Sequence, residues 1–397
     1  MLADADVEGR AARLREALAA RTGAPASEVR VVRAPDRICP LGAHVDHQYG
    51  AVCALAAEHA LLLAWLPVAE DTVTLASRDF EGTVRFALTA VIAPAGDGGD
   101  YARGAVRALE HGSGGFVGLV DGAWAEAGLS SSAAVGIAYL LVLAARSGTR
   151  LDGEELVRAQ GRIEQAFLGL ANGLLDPAAV VFGARDSLVR IDTRTLRHER
   201  AQAPDASAVR FLAISSGERA PLVAGGAFND RVAECRAAAR ELAVRVAHPD
   251  PEPRLGDLPR GALATHGPEL PEPLARRTRH FLTETARVDA GFAAWQVGDF
   301  AALGAAMRAS ADSSIHAYET GSPRMIDLLR ALDAQPGVYG ARFSGAGFRG
   351  CCVALVDADA AEDIAIETHA RYARLHPEFA AQSFAFATRP AAGAGPL

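Results

Sequence analysis

The chain of 397 residues is 50% hydrophobic, enough to bury two cores of ordinary domain size. Its formal net charge of −8 argues against a protein that lives on nucleic acid. All 40 basic residues are arginine, which excludes any mechanism that needs a lysine, such as that of the P-loop nucleotidases or the protein kinases.

From the start of the chain, "MLADADVEGRAARLREALAA" reads as an amphipathic helix and lacks the basic start and apolar centre of a secretory signal. No charge-free apolar run of about 18 residues occurs, so no membrane span is expected. "VRVVR" (29–33) reads as a strand, and 51–67, 73–77 and 83–88 as short strands with turn signals between them. Residues 131–148 carry apolar positions on a helical period, with Gly148 suited to the end, and 153–170 read as a further helix. Pro, Ala and Asp near 200–206 mark a boundary between an N-terminal domain, 1–203, and a C-terminal domain, 204–397.

The second half opens on a strand at 209–216, followed by a helix from about 226 to 247 and a Pro-rich loop or excursion at 249–273. Helical patterns then run to about 333, and "GVYGARF" and "CCVALVD" read as a strand pair around a Gly-rich turn. The fold class is α+β in two parts, with strands grouped early in each. The five cysteines (Cys39, Cys53, Cys235, Cys351 and Cys352) form no C-x-x-C pair and are expected to be reduced thiols of a cytoplasmic protein. Cys351 and Cys352 are expected in a core strand.

Four stretches carry chemistry. "RICPLGAHVDHQYG" (37–50) packs Arg37, His44, Asp46 and His47 into a few residues after a strand. "GLSSSAAVGIAYLL" (128–141) leads from a Gly and three serines into a helix. That is either a serine cap or an anion site built from helix-start N–H groups and hydroxyls. "RIEQAFLGLANGLLDPAAV" (162–180) places Glu164 on a helix and Asp176 before Pro177, either as a helix cap or as a carboxylate needing a partner, for which Arg37 is the candidate. "FSGAGFRG" (343–350) is either a plain hairpin turn or a close-approaching loop, with Gly345 at its start.

In this order, these stretches resemble the GHMP superfamily of galacto-, homoserine, mevalonate and phosphomevalonate kinases. "FNDRVAECRAAA" (228–239) and "SSIHAYETGSP" (313–323) extend the likeness to galactokinases. Within that group, the chain looks most like the galacturonokinase branch over roughly residues 30–375.

The resemblance implies a two-domain GHMP kinase fold, with an N-terminal domain like ribosomal protein S5 domain 2 and a ferredoxin-like C-terminal domain. It also implies ATP and Mg²⁺, a small-molecule sugar acid as partner, no nucleic-acid or membrane partner, and a monomer or homodimer. ATP phosphates would lie on Gly128, Leu129, Ser130, Ser131, Ser132 and Ala133, with Ser132 and Glu164 holding the metal. Asp176 would accept or orient the C1 hydroxyl, and Arg37 would keep that carboxylate ionised and stabilise charge on the γ-phosphate. Asp46 and His44 would hold the sugar ring.

Galactokinases carry Glu where Ala43 stands, and that Glu is understood to contact the C6 hydroxyl. Its replacement by Ala43 would admit a C6 carboxylate, with Arg219 the first candidate to receive it. The chain departs from the pattern at Pro177, where relatives have Gln, at Phe228, where they have Tyr, and at Arg349, where galactokinases have Gly. The expected reaction is D-galacturonate plus ATP to α-D-galacturonate 1-phosphate plus ADP. The alternatives are another C1 sugar kinase, acting on galactose, glucuronate or L-arabinose, or a non-catalytic sensor of ATP and sugar.

Overall fold

A computed structural model of the chain describes residues 6–79, 81–89, 92–109, 114–122, 131–218, 227–380 and 382–397. The N-terminal half comprises α1 (Val7–Thr22), β1 (Arg30–Leu41), β2 (Ala51–Pro67), β3 (Thr72–Ser77), β4 (Thr83–Ala87), α2 (Asp100–Leu109) and β5 (Phe116–Asp121). It continues through α3 (Ser131–Ser147), α4 (Gly153–Arg162), α5 (Leu175–Phe182), β6 (Ser187–Asp192) and β7 (His198–Gln202). The C-terminal half holds β8 (Val209–Ser215), α6 (Ala227–Arg245), α7 (Arg260–His266), α8 (Leu274–Gln296), α9 (Phe300–Ser313) and α10 (Pro323–Asp333). It ends with β9 (Val338–Phe343), β10 (Cys351–Asp357), α11 (Ala361–Leu375), α12 (Pro377–Ala380), β11 (Ala385–Thr388) and β12 (Gly395–Pro396).

Residues 51–67 form one continuous strand of 17 residues, with the bounds expected from the sequence. Both of its faces are covered. Leu61, Leu63 and Trp65 pack with α3, whereas Leu62, Ala64 and Leu66 pack with Ala11, Leu14 and Leu18 of α1. A strand buried on both faces reads as a continuous apolar run, and the alternation that would mark its length is lost. In the eight-stranded sheet, ordered β12-β1-β2-β5-β3-β4 with β6 and β7 branching from β2, β2 pairs with β5 through residues 62–67 and with β6 through residues 51–54. The helix expected over 153–170 ends earlier, at Arg162. It begins on a capping box of Asp152 and Glu155 and then widens into a π-turn, Ile163–Phe167, closed by Leu168 N–H donating to Ile163 O at 3.0 Å. The Pro-rich segment 249–273 carries α7.

A four-stranded antiparallel sheet, β11-β8-β10-β9, forms the second layer. The two halves share a core: Ile38, Leu41, Cys53 and Leu55 pack with Phe211, Val353, Phe292 and the fully buried Trp295. The end of the chain returns to the first sheet, where Leu397 N–H donates to Val31 O at 2.9 Å and buried Arg33 donates to Ala392 O. All five cysteines are buried and none is in a disulfide, with Cys351 and Cys352 inside β10. Among the described residues no helix is long and apolar enough to cross a membrane.

Candidate active site

Arg37 and Asp176 meet at the junction of the two sheets. The β1–β2 ladder slips between Pro35 and Arg37 and again between Ile38 and Leu41. Pro35 and Pro40 lack the N–H that a regular ladder requires, and such an irregularity re-aims the side chain beside it. The guanidinium of Arg37 donates from Nε to Asp176 Oδ1 at 2.5 Å, from Nη2 to Asp176 Oδ2 at 3.0 Å and from Nη1 to Ser344 Oγ at 3.2 Å. Burial pulls the Arg37 pKa down, but the charge and hydrogen bonds of Asp176, with smaller help from Cys39 and Asp36, outweigh it and the net shift is upward.

Asp176 lies in the first turn of α5, where the helix dipole favours a carboxylate, and Pro177 loses nothing there because first-turn N–H groups have no intrahelical acceptor. It does not cap the helix: Leu174 holds the cap position and the Asp176 carboxylate goes to Arg37. The pair is lopsided in exposure, with Arg37 at 3% and Asp176 at 29%, so the carboxylate is the member a substrate can reach.

Asp46 converges on the same place. Its Oδ2 accepts from Leu175 N–H at 3.2 Å, and a side chain on Gly173 would come within 2.2 Å of that oxygen, so the close approach requires glycine. Burial, then the neighbouring Asp176 charge, pushes its carboxyl up to about 6. His44 adopts a left-handed φ of 59° and stacks on Tyr318, with ring centroids 4.3 Å apart and planes 5° from parallel. Burial, followed by the neighbouring His280 and Arg342, holds the His44 imidazole well below the usual histidine range. His47 donates or accepts with Tyr318 Oη at 2.9 Å, and Phe228 meets its ring edge-on at 6.2 Å. Gly345, φ 65°, opens the turn that follows Ser344.

On the other flank, Ser131 and Ser132 begin α3, and Ala133 is fully buried behind them. The Ser132 hydroxyl hydrogen-bonds both Glu164 and Tyr101. Glu164 sits in the π-turn, where Gln160 Nε2 donates to Oε1 at 3.2 Å and Asn172 Nδ2 donates to Oε2 at 3.3 Å. Burial and the Asp176 charge raise its carboxyl to about 7. Gly128, Leu129, Ser130 and Arg219 lie outside the described residues.

The structure therefore brings Arg37, Asp176, Asp46, Ser132 and Glu164 to one region, with Ala43, His44 and Phe228 alongside. Sequence reasoning missed what stands behind them. Glu284, wholly buried on α8, accepts from the N–H groups of Gly42 (2.7 Å) and Ala43 (3.1 Å), while His280, one turn earlier, bonds the Ala43 carbonyl at 2.9 Å. The available signal was the i, i+4 spacing of His280 and Glu284 on one helix face.

Residues 100–184 match the family described as GHMP kinases N terminal domain, and residues 292–372 match GHMP kinases C terminal. A galacturonokinase of Arabidopsis thaliana is 40% identical over 391 residues, covering 92% of each chain. The chain belongs to the GHMP kinase family. The kinase is also 32% identical over 341 residues to a galactokinase of Roseiflexus sp. (strain RS-1), with 84% of each chain covered. In three dimensions it is similar to Lactococcus lactis galactokinase complexed with galactose, with a TM-score of 0.89 and 25% identity over 97% of this chain and 99% of that one. The mevalonate kinase of Methanococcus jannaschii shares the fold, with a TM-score of 0.61 and 15% identity over 91% of this chain and 98% of that one.

Proposed function

We propose that this kinase is an anomeric sugar-acid kinase that transfers the γ-phosphoryl group of ATP to the C1 hydroxyl of D-galacturonate. The observation that carries the substrate is Ala43. It stands beside His44 and Asp46 where a galactokinase-type segment has Glu, and its backbone is bonded on both sides, so the segment has little freedom to shift away from an incoming group. The 40% identity to a galacturonokinase supports the same reading. Arg219, on the segment before α6, is the proposed partner of the C6 carboxylate.

Asp176 takes the C1 proton as the new O–P bond forms and the bond from the γ-phosphorus to the bridging oxygen of ADP breaks. Arg37 orients that carboxylate and supplies positive charge toward the transferring phosphate. Phosphoryl transfer asks for positioning and charge stabilisation more than for covalent chemistry, and this pair provides both. The phosphates are proposed to rest on residues 128–133 at the start of α3, where helix N–H groups favour anions. Asp46 accepts hydrogen bonds from ring hydroxyls, with His44 and Phe228 lining the sugar.

A hard divalent cation fits the residues present: a serine hydroxyl hydrogen-bonded to a buried carboxylate that faces the Asp176 charge. Among the described residues no group of three His, Cys, Asp or Glu forms a metal cage, so Ser132 and Glu164 would share Mg²⁺ with the ATP phosphates. The bound ion would neutralise charge on those phosphates. Five buried cysteines outside any disulfide fit a cytoplasmic setting.

The deciding experiment is an ADP-release assay with Mg²⁺-ATP across galacturonate, glucuronate, galactose and L-arabinose. Galacturonate is expected to exceed galactose in kcat/KM by about 10² or more. Equal turnover of galactose would instead favour a broader sugar kinase, and sugar binding without turnover would favour a sensor.

The Asp46 shift sets a pH dependence. Because its carboxyl is raised to about 6, it takes up a proton as pH falls through 6 and stops being a pure acceptor. The sugar kcat/KM is expected to fall about tenfold per pH unit below that point. In Asp46→Asn the value should be low throughout, without that inflection, as a pH–rate profile would show.

A further inference from the structure

Behind the sugar segment lies a buried ionic network with no part in the transfer just described. Glu284 Oε1 accepts from Gly42 N–H (2.7 Å), Ala43 N–H (3.1 Å) and Ser310 Oγ (2.6 Å), and lies 3.6 Å from Arg342 Nη1. Its other oxygen accepts from Arg287 Nε at 2.8 Å. Arg342, itself 1% exposed, also donates to Ser310 Oγ at 3.0 Å and to Phe343 O at 2.9 Å. Together with the neighbouring His280 and Arg287, Arg342 holds the Glu284 carboxyl down at about 2 against the opposing effect of burial.

A buried ion pair contributes little to stability relative to well-packed apolar residues, so its presence calls for another role. The backbone it grips is special. Gly42 (φ 99°) and His44 (φ 59°) both take left-handed conformations on either side of Ala43, and a side chain on Gly42 would strike Val52 at 2.7 Å. Non-glycine residues hold such conformations only where surrounding structure over-determines them. Here two consecutive N–H groups close on one carboxylate oxygen, while His280 takes the carbonyl that follows.

The same strand reaches the other end of the site. Arg342 and Ser344 are next-but-one residues and so project to the same side of the extended chain. Arg342 backs Glu284 under Ala43, and Ser344 receives Arg37 Nη1 beside Asp176. Ser344 is itself pinned through its N–H to Cys351 O at 2.9 Å.

We propose that Glu284 is a positioning residue for the sugar: with Arg342 it fixes the Gly42–His44 backbone, and the end of β9 ties that segment to Arg37 and Asp176 at a set separation. This rests on the reading that residues 43–46 receive the sugar. Glu284 touches neither sugar nor ATP, so its effect falls on sugar affinity.

The test measures both KM values, kcat and Tm for Glu284→Gln, which keeps size and an acceptor but removes the charge, and for Ser310→Ala, which deletes one bond to each ionic partner. Glu284→Gln is expected to raise the sugar KM about tenfold or more while the ATP KM stays within about twofold, with Ser310→Ala moving the same way by less. A merely structural residue would lower the active fraction and Tm and leave both KM values unchanged; that result in either folded variant overturns the proposal. Should Glu284→Gln fail to fold, Ser310→Ala decides alone. The constants are taken on whichever sugar the wild type phosphorylates best. A wild type that prefers galactose therefore removes the galacturonate reading and leaves this test intact.

Discussion

Asp176→Asn is expected to lower kcat by about 10³- to 10⁴-fold while the KM values for sugar and ATP change little. The change keeps the shape of the side chain and removes its charge. One amide oxygen can still accept from Arg37 Nε, but the NH₂ group then faces the Nη2 donor that now sits 3.0 Å from Oδ2. Two donors cannot bond, so the buried guanidinium loses half of its fork as well as its counter-charge. The C1 hydroxyl loses its acceptor in the same step. Single-turnover kinetics with preloaded sugar separate this loss from one of binding. A variant retaining more than about a tenth of wild-type kcat would show that the carboxylate only orients the hydroxyl, because general-base loss alone costs about 10²-fold or more.

Much of this arrangement was legible in the sequence because the groups proposed to do chemistry occupy short, ordered motifs. Arg37, Asp46, Ser132, Glu164 and Asp176 could each be named before any coordinates, and even the Arg37–Asp176 contact followed from a carboxylate standing among apolar residues. What could not be read was long-range support. Glu284 is about 240 residues from the amides it accepts from, and its i, i+4 spacing from His280 is a weak local mark on a helix rich in arginine. Tyr318 beneath His44 and Ser344 beside Arg37 are likewise brought in by tertiary packing alone. The fold shows the same division. Helices with clear caps and periodicity fell close to their expected bounds. Residues 51–67 kept their expected bounds as β2, although burial on both faces erases the alternation that would show the strand's length, and the helix over Glu164 ends earlier than expected because a π-turn leaves no mark on the apolar period.

Ala43→Glu is the second large effect, and its direction depends on the substrate. If the sugar's C6 group lies about 4 Å from the new carboxylate at an effective dielectric of about 20, two negative charges repel by roughly 4 kcal/mol. That corresponds to a loss of about a thousandfold for galacturonate. Galactose, whose C6 hydroxyl can donate to the new carboxylate, should gain about tenfold or more from a charge-assisted hydrogen bond. The ratio of kcat/KM values for the two sugars is therefore expected to shift by about 10⁴ in total. The backbone cannot relieve the clash by retreating, because Ala43 N–H is bonded to Glu284 and its carbonyl to His280. Ala43→Gln separates charge from bulk, since it is nearly the same size without the negative charge. If charge is the determinant, Gln costs galacturonate far less than Glu does. If Gln and Glu depress it equally, Ala43 sets the space available at C6 and the repulsion argument fails. Equal responses of galactose and galacturonate to Glu would mean that C6 points elsewhere, and the specificity would then have to be sought on the α6 side of the pocket, around Phe228.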